Sequence, residues 1–182
     1  MSRVTPLPRE VAPPDVQAAY DQHVADYPGS RITNMKATLG RSLLSFEVYM
    51  QWYPLYEQIR EILGNRLAYL YAHAISQGSN CPLCTTFFRR IMIDNGEKPE
   101  DLLLSSHEQL LVDFGSEIAR SKGEVPDLLF DPVQALYSDA QLVALVAFAG
   151  QMIATNVFNN VLEVEIDPYL FPYLSLTTPS ET

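Results

Sequence analysis

Apolar side chains recur at helical spacing along most of this chain. In the segment 66–77, Leu67, Leu70, Tyr71 and Ala74 follow the i, i+3, i+4, i+7 pattern of one buried helix face. No segment of useful length alternates apolar and polar residues, as a half-buried strand does. The pattern therefore predicts an all-α fold.

Capping and helix-breaking residues set the limits of the other predicted helices. Pro13 and Pro14 can open a helix that Tyr27-Pro28-Gly29 stops, and two capping boxes, Ser105 with Glu108 and Ser138 with Gln141, open two more. A long helix is predicted over 42–63; Pro54 kinks or divides it and Gly64 stops it. A further helix is predicted over 82–95 and a loop over 126–132. The tail, 166–176, is predicted to be irregular and to pack through its aromatic residues.

The helix that starts after Ser138 is apolar nearly all round in its first half. Such a helix lies at the centre of a core or is covered by another subunit, so we expect a homo-oligomer. The continuous run from Leu142, which contains Gln151, is too short to span a bilayer.

Length and composition predict one globular domain. The chain has 182 residues, of which 47% are hydrophobic and 19% charged. Residues 1–12 are rich in proline and form an N-terminal arm, and residues 13–182 form a single helical domain.

The charge balance excludes two classes of partner. Twelve Lys and Arg residues against 22 Asp and Glu residues give a formal net charge of -10, which repels nucleic-acid phosphates and anionic membranes. The polar, proline-rich start does not resemble a signal peptide, so a cytoplasmic protein is expected.

Cys81 and Cys84 are the only two cysteines, and both lie close to the N-terminus of a predicted helix that begins at Pro82. The helix N-terminus favours a thiolate, and the spacing allows a reversible disulfide, so redox chemistry is one interpretation. The pair could also be half of a zinc site completed by carboxylates or histidines, although the chain has no second CxxC motif, or two small packed side chains.

Three stretches carry a family resemblance: NMKATLGRSLLS from Asn34, NRLAYLYAHAISQGSNCPLC ending at Cys84, and SDAQLVALVAFAGQMIATNVFNN from Ser138. Their layout resembles the alkylhydroperoxidase D-like family, also called the carboxymuconolactone decarboxylase superfamily. The resemblance implies an AhpD-like helical bundle that oligomerises and reduces hydroperoxides. It also implies that Cys84 attacks the peroxide, Cys81 resolves the product, and an external dithiol supplies electrons, with no metal or cofactor.

Two positions depart from the family pattern. Phe88 replaces a histidine after the second cysteine, and Tyr69 replaces a glutamate before the first. We therefore expect His73, one turn after Tyr69 on the same helix, to accept the Cys84 proton while Tyr69 orients it. The alternative is a non-enzymatic helical protein whose cysteines serve as a redox switch or whose pocket binds an apolar ligand.

The remaining histidines and aromatic residues have simpler interpretations. His23 and His107 are expected at the surface. The aromatic group between Phe46 and Tyr56 is expected in the core or at a subunit interface, from where it could wall an apolar pocket over the cysteines.

Overall fold

A computed structural model describes residues 1–175 of the chain. That part is all-helical and contains no strand, as the sequence predicts. Its α-helices are α1 (Pro14–Asp26), α2 (Asn34–Leu39), α3 (Leu43–Met50), α4 (Trp52–Gly78), α5 (Pro82–Asp94), α6 (Ser106–Arg120), α7 (Asp127–Leu136) and α8 (Asp139–Val161), with two 3-10 turns at Arg9–Val11 and Pro168–Tyr173.

Helix α4 is the centre of the fold, because α5, α6 and α8 all pack against it. The predicted buried face is confirmed, since Leu67, Leu70, Tyr71 and Ala74 are all buried. Helix α6 approaches α4 closely at Gly115, where an added Cβ would lie 2.7 Å from the Tyr71 ring. This packing brings the end of α4 and the start of α5 into the interior of the molecule.

The predicted helix ends are largely confirmed. Both capping boxes are present, with Ser105 bonded to Glu108 and Ser138 bonded to Gln141. Gly64 takes a non-helical conformation with φ 77° and interrupts α4, as its predicted role as a stop requires.

The prediction that Pro54 kinks or divides a long helix is wrong. The break lies at Gln51, between α3 and α4, and Pro54 belongs to the first turn of α4. Backbone N–H groups in a first turn have no partner within the helix, so a proline there costs no hydrogen bond.

The predicted loop over 126–132 is also wrong, because these residues open α7. Pro126 occupies the N-cap position and Asp127 begins the helix, where its charge suits the helix dipole. Pro132 lies inside α7 and withholds one hydrogen bond from the preceding turn, in a helix whose Leu128 is almost fully exposed. Water can therefore satisfy the carbonyl that Pro132 leaves free.

Residues 1–12 lie against the helices. Arg3 N–H donates to the Leu162 carbonyl, Leu7 N–H donates to the Ala37 carbonyl, and the side chains of Leu7 and Ala12 are buried. The division of the chain into an arm, 1–12, and a domain, 13–182, stays a prediction.

The tail packs on the protein, as expected, but part of it is regular. Residues Pro168–Tyr173 form a 3-10 turn against α5, with Leu170 buried and the Tyr173 hydroxyl donating to Asp94. Asp167 precedes the turn and accepts the Asn34 N–H at the start of α2, at 2.9 Å. This tail joins α2 to α5. Residue 176 of the predicted tail lies outside the described residues.

Helix α8 has a buried face and an exposed apolar face. The buried face includes Leu145, Phe148 and Met152. The residues of the exposed face recur every three or four positions. We call them the α8 stripe: Val143, Val146, Gly150, Ala154, Val157 and Val161.

Helix α8 is also longer than the apolar run seen in the sequence. By length and composition alone this 23-residue helix could cross a membrane: an 18-residue stretch of it has a mean hydropathy of 1.5, although 39% of that stretch is buried within the protein. The prediction that this segment is too short to span a bilayer is therefore wrong. The expected absence of a membrane partner stays a prediction.

Candidate functional site

The two cysteines form the first turn of α5. Cys81 is its N-cap, and its sulfur accepts the Cys84 N–H at 3.5 Å. Pro82 occupies the first helical position, where its fixed φ suits the helix. Asn80 takes the left-handed conformation, with φ 49°, which turns the chain sharply between α4 and α5. Both cysteines are free thiols and both are buried.

The two thiols share a hydrogen bond that decides where the negative charge lies. Because Cys84 donates its S–H to Cys81, the pKa of Cys81 lies below its usual value. The same bond, together with burial, raises the pKa of Cys84 well above its usual value. The two thiols titrate together, so after the first deprotonation they share one proton. Transfer of that proton from Cys84 to Cys81 moves the negative charge to Cys84.

Two asparagine side chains of α8 donate hydrogen bonds to the turn that carries the cysteines. Asn159 Nδ2 donates to the Cys84 sulfur at 3.3 Å, and Asn160 Nδ2 donates to the Ser79 and Asn80 carbonyls at 3.1 and 3.2 Å. An amide N–H aimed at a sulfur stabilises its thiolate form. The Asn159 amide therefore stabilises a negative charge on the buried Cys84 sulfur.

A cavity of about 90 Å³ lies beside Cys84. Its walls are mainly apolar and aromatic, and include Tyr49, Trp52, Tyr53 and Phe88. Three aromatic residues of the segment 46–56, Tyr49, Trp52 and Tyr53, thus wall the cavity beside Cys84 as expected, whereas Phe46 and Tyr56 do not line it. Cys81 is not part of the described lining, so of the two thiols it is Cys84 that meets a molecule in this cavity.

The cavity adjoins a larger cavity of about 560 Å³ that is open to the surface. The two share one wall, formed by Thr33, Lys36, Trp52, Tyr53, Phe87 and Tyr169. These six side chains separate the cavity beside Cys84 from the larger one. Tyr169 lies under the Arg31 guanidinium, 4.2 Å from ring centroid to Cζ, at the outer side of this wall.

Lys36 is buried in that shared wall, although lysine is almost never fully buried. Its Nζ lies 2.8 Å from His23 Nε2 and donates to the Arg31 carbonyl at 2.9 Å. Burial lowers the pKa of Lys36 from 10.5 to about 7, and burial with the Lys36 charge lowers the pKa of His23 to about 4. His23 is therefore a neutral acceptor at pH 7.

The expectation that His23 lies at the surface is wrong. The ring packs edge-on against Phe46 and Tyr53, at centroid distances of 5.9 and 4.7 Å. Helix α1 packs against α3, and the face of α1 that carries His23 is therefore buried between the two helices. His107 is exposed, as expected, and its Nε2 is hydrogen bonded to the Tyr137 hydroxyl.

The structure does not bring Tyr69 and His73 to the thiols. The Tyr69 hydroxyl donates to Glu97, at 3.1 Å, in a network with Arg66. Among residues 1–175, His73 has no hydrogen bond to Cys81 or Cys84, and neither Tyr69 nor His73 lines the cavity. Burial and the Arg89 charge lower the pKa of His73 to about 4, which makes its neutral ring a weak base. The catalytic roles of Tyr69 and His73 stay predictions without geometric support.

Phe88, at the position of the family histidine, is buried in the cavity wall. Its ring contacts Phe87 at 5.2 Å and Trp52 at 6.3 Å between centroids. It makes this end of the cavity apolar. As for the zinc interpretation, no group of three His, Cys, Asp or Glu side chains able to hold a metal ion occurs within residues 1–175.

The fold resembles that of a known protein. It matches the crystal structure of an uncharacterized peroxidase-related protein from Silicibacter sp. TM1040 with a TM-score of 0.66. The match covers 90% of this chain and 91% of that chain, at 13% sequence identity. This likeness supports an AhpD-like helical fold. No family model matches the sequence, and no curated protein sequence matches it.

Sequence reasoning missed Lys36, Asp167 and Asn159. Each enters the site only because distant parts of the chain meet, as when Asp167 contacts the start of α2. The one local signal was a lysine among the apolar residues of NMKATL, in a helix of six residues too short to show a pattern.

Proposed function

We propose that this protein reduces small organic hydroperoxides with the Cys81–Cys84 pair. The observation that carries the proposal is the placement of the pair: Cys84 lines an apolar cavity, and Cys81, which does not line it, is hydrogen bonded to Cys84. The peroxidase-related protein of similar fold is consistent with this chemistry.

The reaction balances with two thiols and one hydroperoxide. The Cys84 thiolate attacks the terminal oxygen of the hydroperoxide, the O–O bond breaks, and the alkoxide leaves and takes up a proton to become the alcohol. Cys84 is then a sulfenic acid. The Cys81 thiol attacks that sulfur, a disulfide forms and water leaves. A cytoplasmic dithiol reductant returns the pair to two thiols by exchange.

A thiol titration tests this proposal. Treating the protein with one equivalent of tert-butyl hydroperoxide should remove both thiols together, and dithiothreitol should restore both. With dithiothreitol in excess, the protein should consume many equivalents of the hydroperoxide. Stoichiometric zinc that protects the thiols would contradict the proposal and favour the metal interpretation.

A redox switch is the second candidate, because both thiols are buried and the pKa of Cys84 is raised. Such a protein would form the disulfide slowly and would add little to the rate at which dithiothreitol alone consumes hydroperoxide. The same assay separates the two functions by rate, since a peroxidase in excess dithiothreitol consumes hydroperoxide many times faster than dithiothreitol without protein.

We also propose that the chain self-associates through the α8 stripe. Val143, Val146, Val157 and Val161 are 68%, 43%, 51% and 54% exposed, which leaves a continuous apolar surface along one helix. A second copy that covers this face removes it from water. Sedimentation velocity should therefore give a mass above the 20.5 kDa of one chain, and Val157→Glu should shift it to the monomer. A single-chain mass for the unmodified protein across a dilution series would contradict self-association.

A further inference from the structure

The cavity beside Cys84 has one polar end in an otherwise apolar lining. Lys36 and Asp167 both line it, and both are buried, with 4% and 8% of their surface exposed. Burying two ionisable groups costs free energy unless they are paired or bind something.

Lys36 has one hydrogen-bond donor left over. In its ammonium form Lys36 carries three N–H groups, and two of them meet His23 Nε2 and the Arg31 carbonyl. Both partners are neutral. The third N–H has no hydrogen-bond partner among the described residues; Nζ lies 4.9 Å from the centroid of the Tyr53 ring, which lines the same cavity as Lys36.

Asp167 has one hydrogen-bond acceptor left over. Its Oδ1 accepts the Asn34 N–H at 2.9 Å, whereas its Oδ2 is buried and has no partner among the described residues. Lys36 is close enough for its charge to act on Asp167, yet no direct ion pair joins the two side chains in the described part of the chain. A ligand group that satisfies both side chains must therefore accept from Lys36 and donate to Asp167.

A hydroxyl group meets both requirements with one oxygen atom. A carboxylate could accept from Lys36 but would face the Asp167 charge, and an ammonium could donate to Asp167 but would face Lys36. The rest of the lining favours a small apolar body, and the cavity of about 90 Å³ limits its size.

We infer that Lys36 and Asp167 bind the hydroxyl-type group of a small, uncharged, otherwise apolar ligand in the Cys84 cavity. This inference deepens the proposed function, because it makes the substrate a neutral organic hydroperoxide and not a fatty-acid anion. The alcohol left after reduction has the same donor and acceptor arrangement, so it binds the same polar end as the product.

The test uses three molecules of nearly equal shape, tert-butyl alcohol, pivalate and tert-butylammonium, none of which reacts with a thiol. Trp52 lines the cavity and is the only tryptophan, so its fluorescence reports binding. The alcohol should give a saturable change, and the two ions should bind at least ten-fold more weakly. Equal or tighter binding of pivalate would overturn the inference.

Two variants locate the binding at the polar end. Lys36→Met and Asp167→Asn should each weaken alcohol binding by roughly ten-fold, the usual effect of losing a hydrogen bond to a charged group. Asp167→Asn keeps an oxygen for the Asn34 N–H, and Lys98→Met removes an exposed lysine elsewhere and should change nothing. Alcohol binding of unchanged affinity in both site variants would refute the inference.

The outcome is separable from that of the proposed function. Alcohol binding requires no thiol, so a protein that binds the alcohol but never consumes hydroperoxide would disprove only the peroxidase proposal. A protein that consumes tert-butyl hydroperoxide with the same kcat/KM in both site variants would disprove only the ligand assignment.

Discussion

Cys84→Ser should lose the ability to reduce tert-butyl hydroperoxide in the presence of dithiothreitol. A serine hydroxyl remains protonated at neutral pH and cannot attack the peroxide oxygen as a thiolate does. Loss of a nucleophile removes the whole covalent path, so we expect a fall on the order of 10³-fold or more, to the background rate. The measurement is the rate of hydroperoxide loss per mole of protein.

Cys81→Ser is the matched control, because serine is a good N-cap and preserves the start of α5. This variant should attack one hydroperoxide with Cys84 and stop at the sulfenic acid, which dimedone traps. Dimedone labelling of Cys81 in the Cys84→Ser protein, with none on Cys84 in the Cys81→Ser protein, would reverse the assignment. That reversal is a real alternative outcome, since the hydrogen bond between the thiols lowers the pKa of Cys81 and not that of Cys84.

Lys36→Met should stabilise the protein at pH 7, even though it removes a side chain from the cavity. Folding shifts the pKa of Lys36 from 10.5 to about 7, a difference that corresponds to roughly 4–5 kcal/mol of unfavourable free energy when the unfolded chain is fully protonated. Methionine fills a similar volume without charge, but leaves His23 and the Arg31 carbonyl without their donor. We expect a net gain of about 1–3 kcal/mol in the free energy of unfolding.

The stability gained by Lys36→Met should decrease as the pH rises from 7 to 10. Between pH 7 and 10.5 the unfolded chain holds a proton on Lys36 that the folded chain has released, so the stability of the unmodified protein rises with pH across this window. The groups facing Lys36 are His23 on α1, Tyr53 on α4 and Asp167 before the C-terminal turn. The Lys36 charge lowers the pKa of both His23 and Asp167, so the difference between the two proteins reports Lys36 together with its effect on these two groups.

Chemical denaturation at pH 7 and pH 10 measures this difference. The advantage of Lys36→Met should be largest at pH 7 and small at pH 10, while Lys98→Met should match the unmodified protein at both values. A Lys36→Met protein that is less stable at pH 7 would show that the hydrogen bonds of Lys36 outweigh the cost of burying it.

The sequence predicts the elements of this fold better than it predicts the site. Helix limits depend on local signals such as the Ser138 cap and the glycine at 64, which act through neighbouring residues and are visible in the chain. Pro54 and Pro132 misled the prediction because the effect of a proline depends on its position within a helix, and that position is set by packing.

The cysteines and the aromatic wall were predictable because their chemistry is evident from residue type. The polar end of the cavity was not. Lys36 is buried by contacts with α1, α4 and the segment after α8, and its apolar neighbours in NMKATL are too few to distinguish it from a solvated lysine. Contacts between residues at least 131 positions apart in the sequence, such as those of Asn34 with Glu165 and Asp167, decide which side chains meet the thiols.

The position of the C-terminal 3-10 turn also has a consequence for synthesis. Cys84 is made 83 residues before Asp167, the difference between the two sequence numbers, and Leu170 comes later still. At about 5–20 residues per second, the ribosome needs roughly 4–17 s to make that interval. For most of this time the nascent chain holds two neighbouring thiols while α8, which is complete only at Val161, and the turn after it are still unfinished. The thiols therefore meet solvent oxidants, metals and other cysteines before the cavity that selects their substrate has formed.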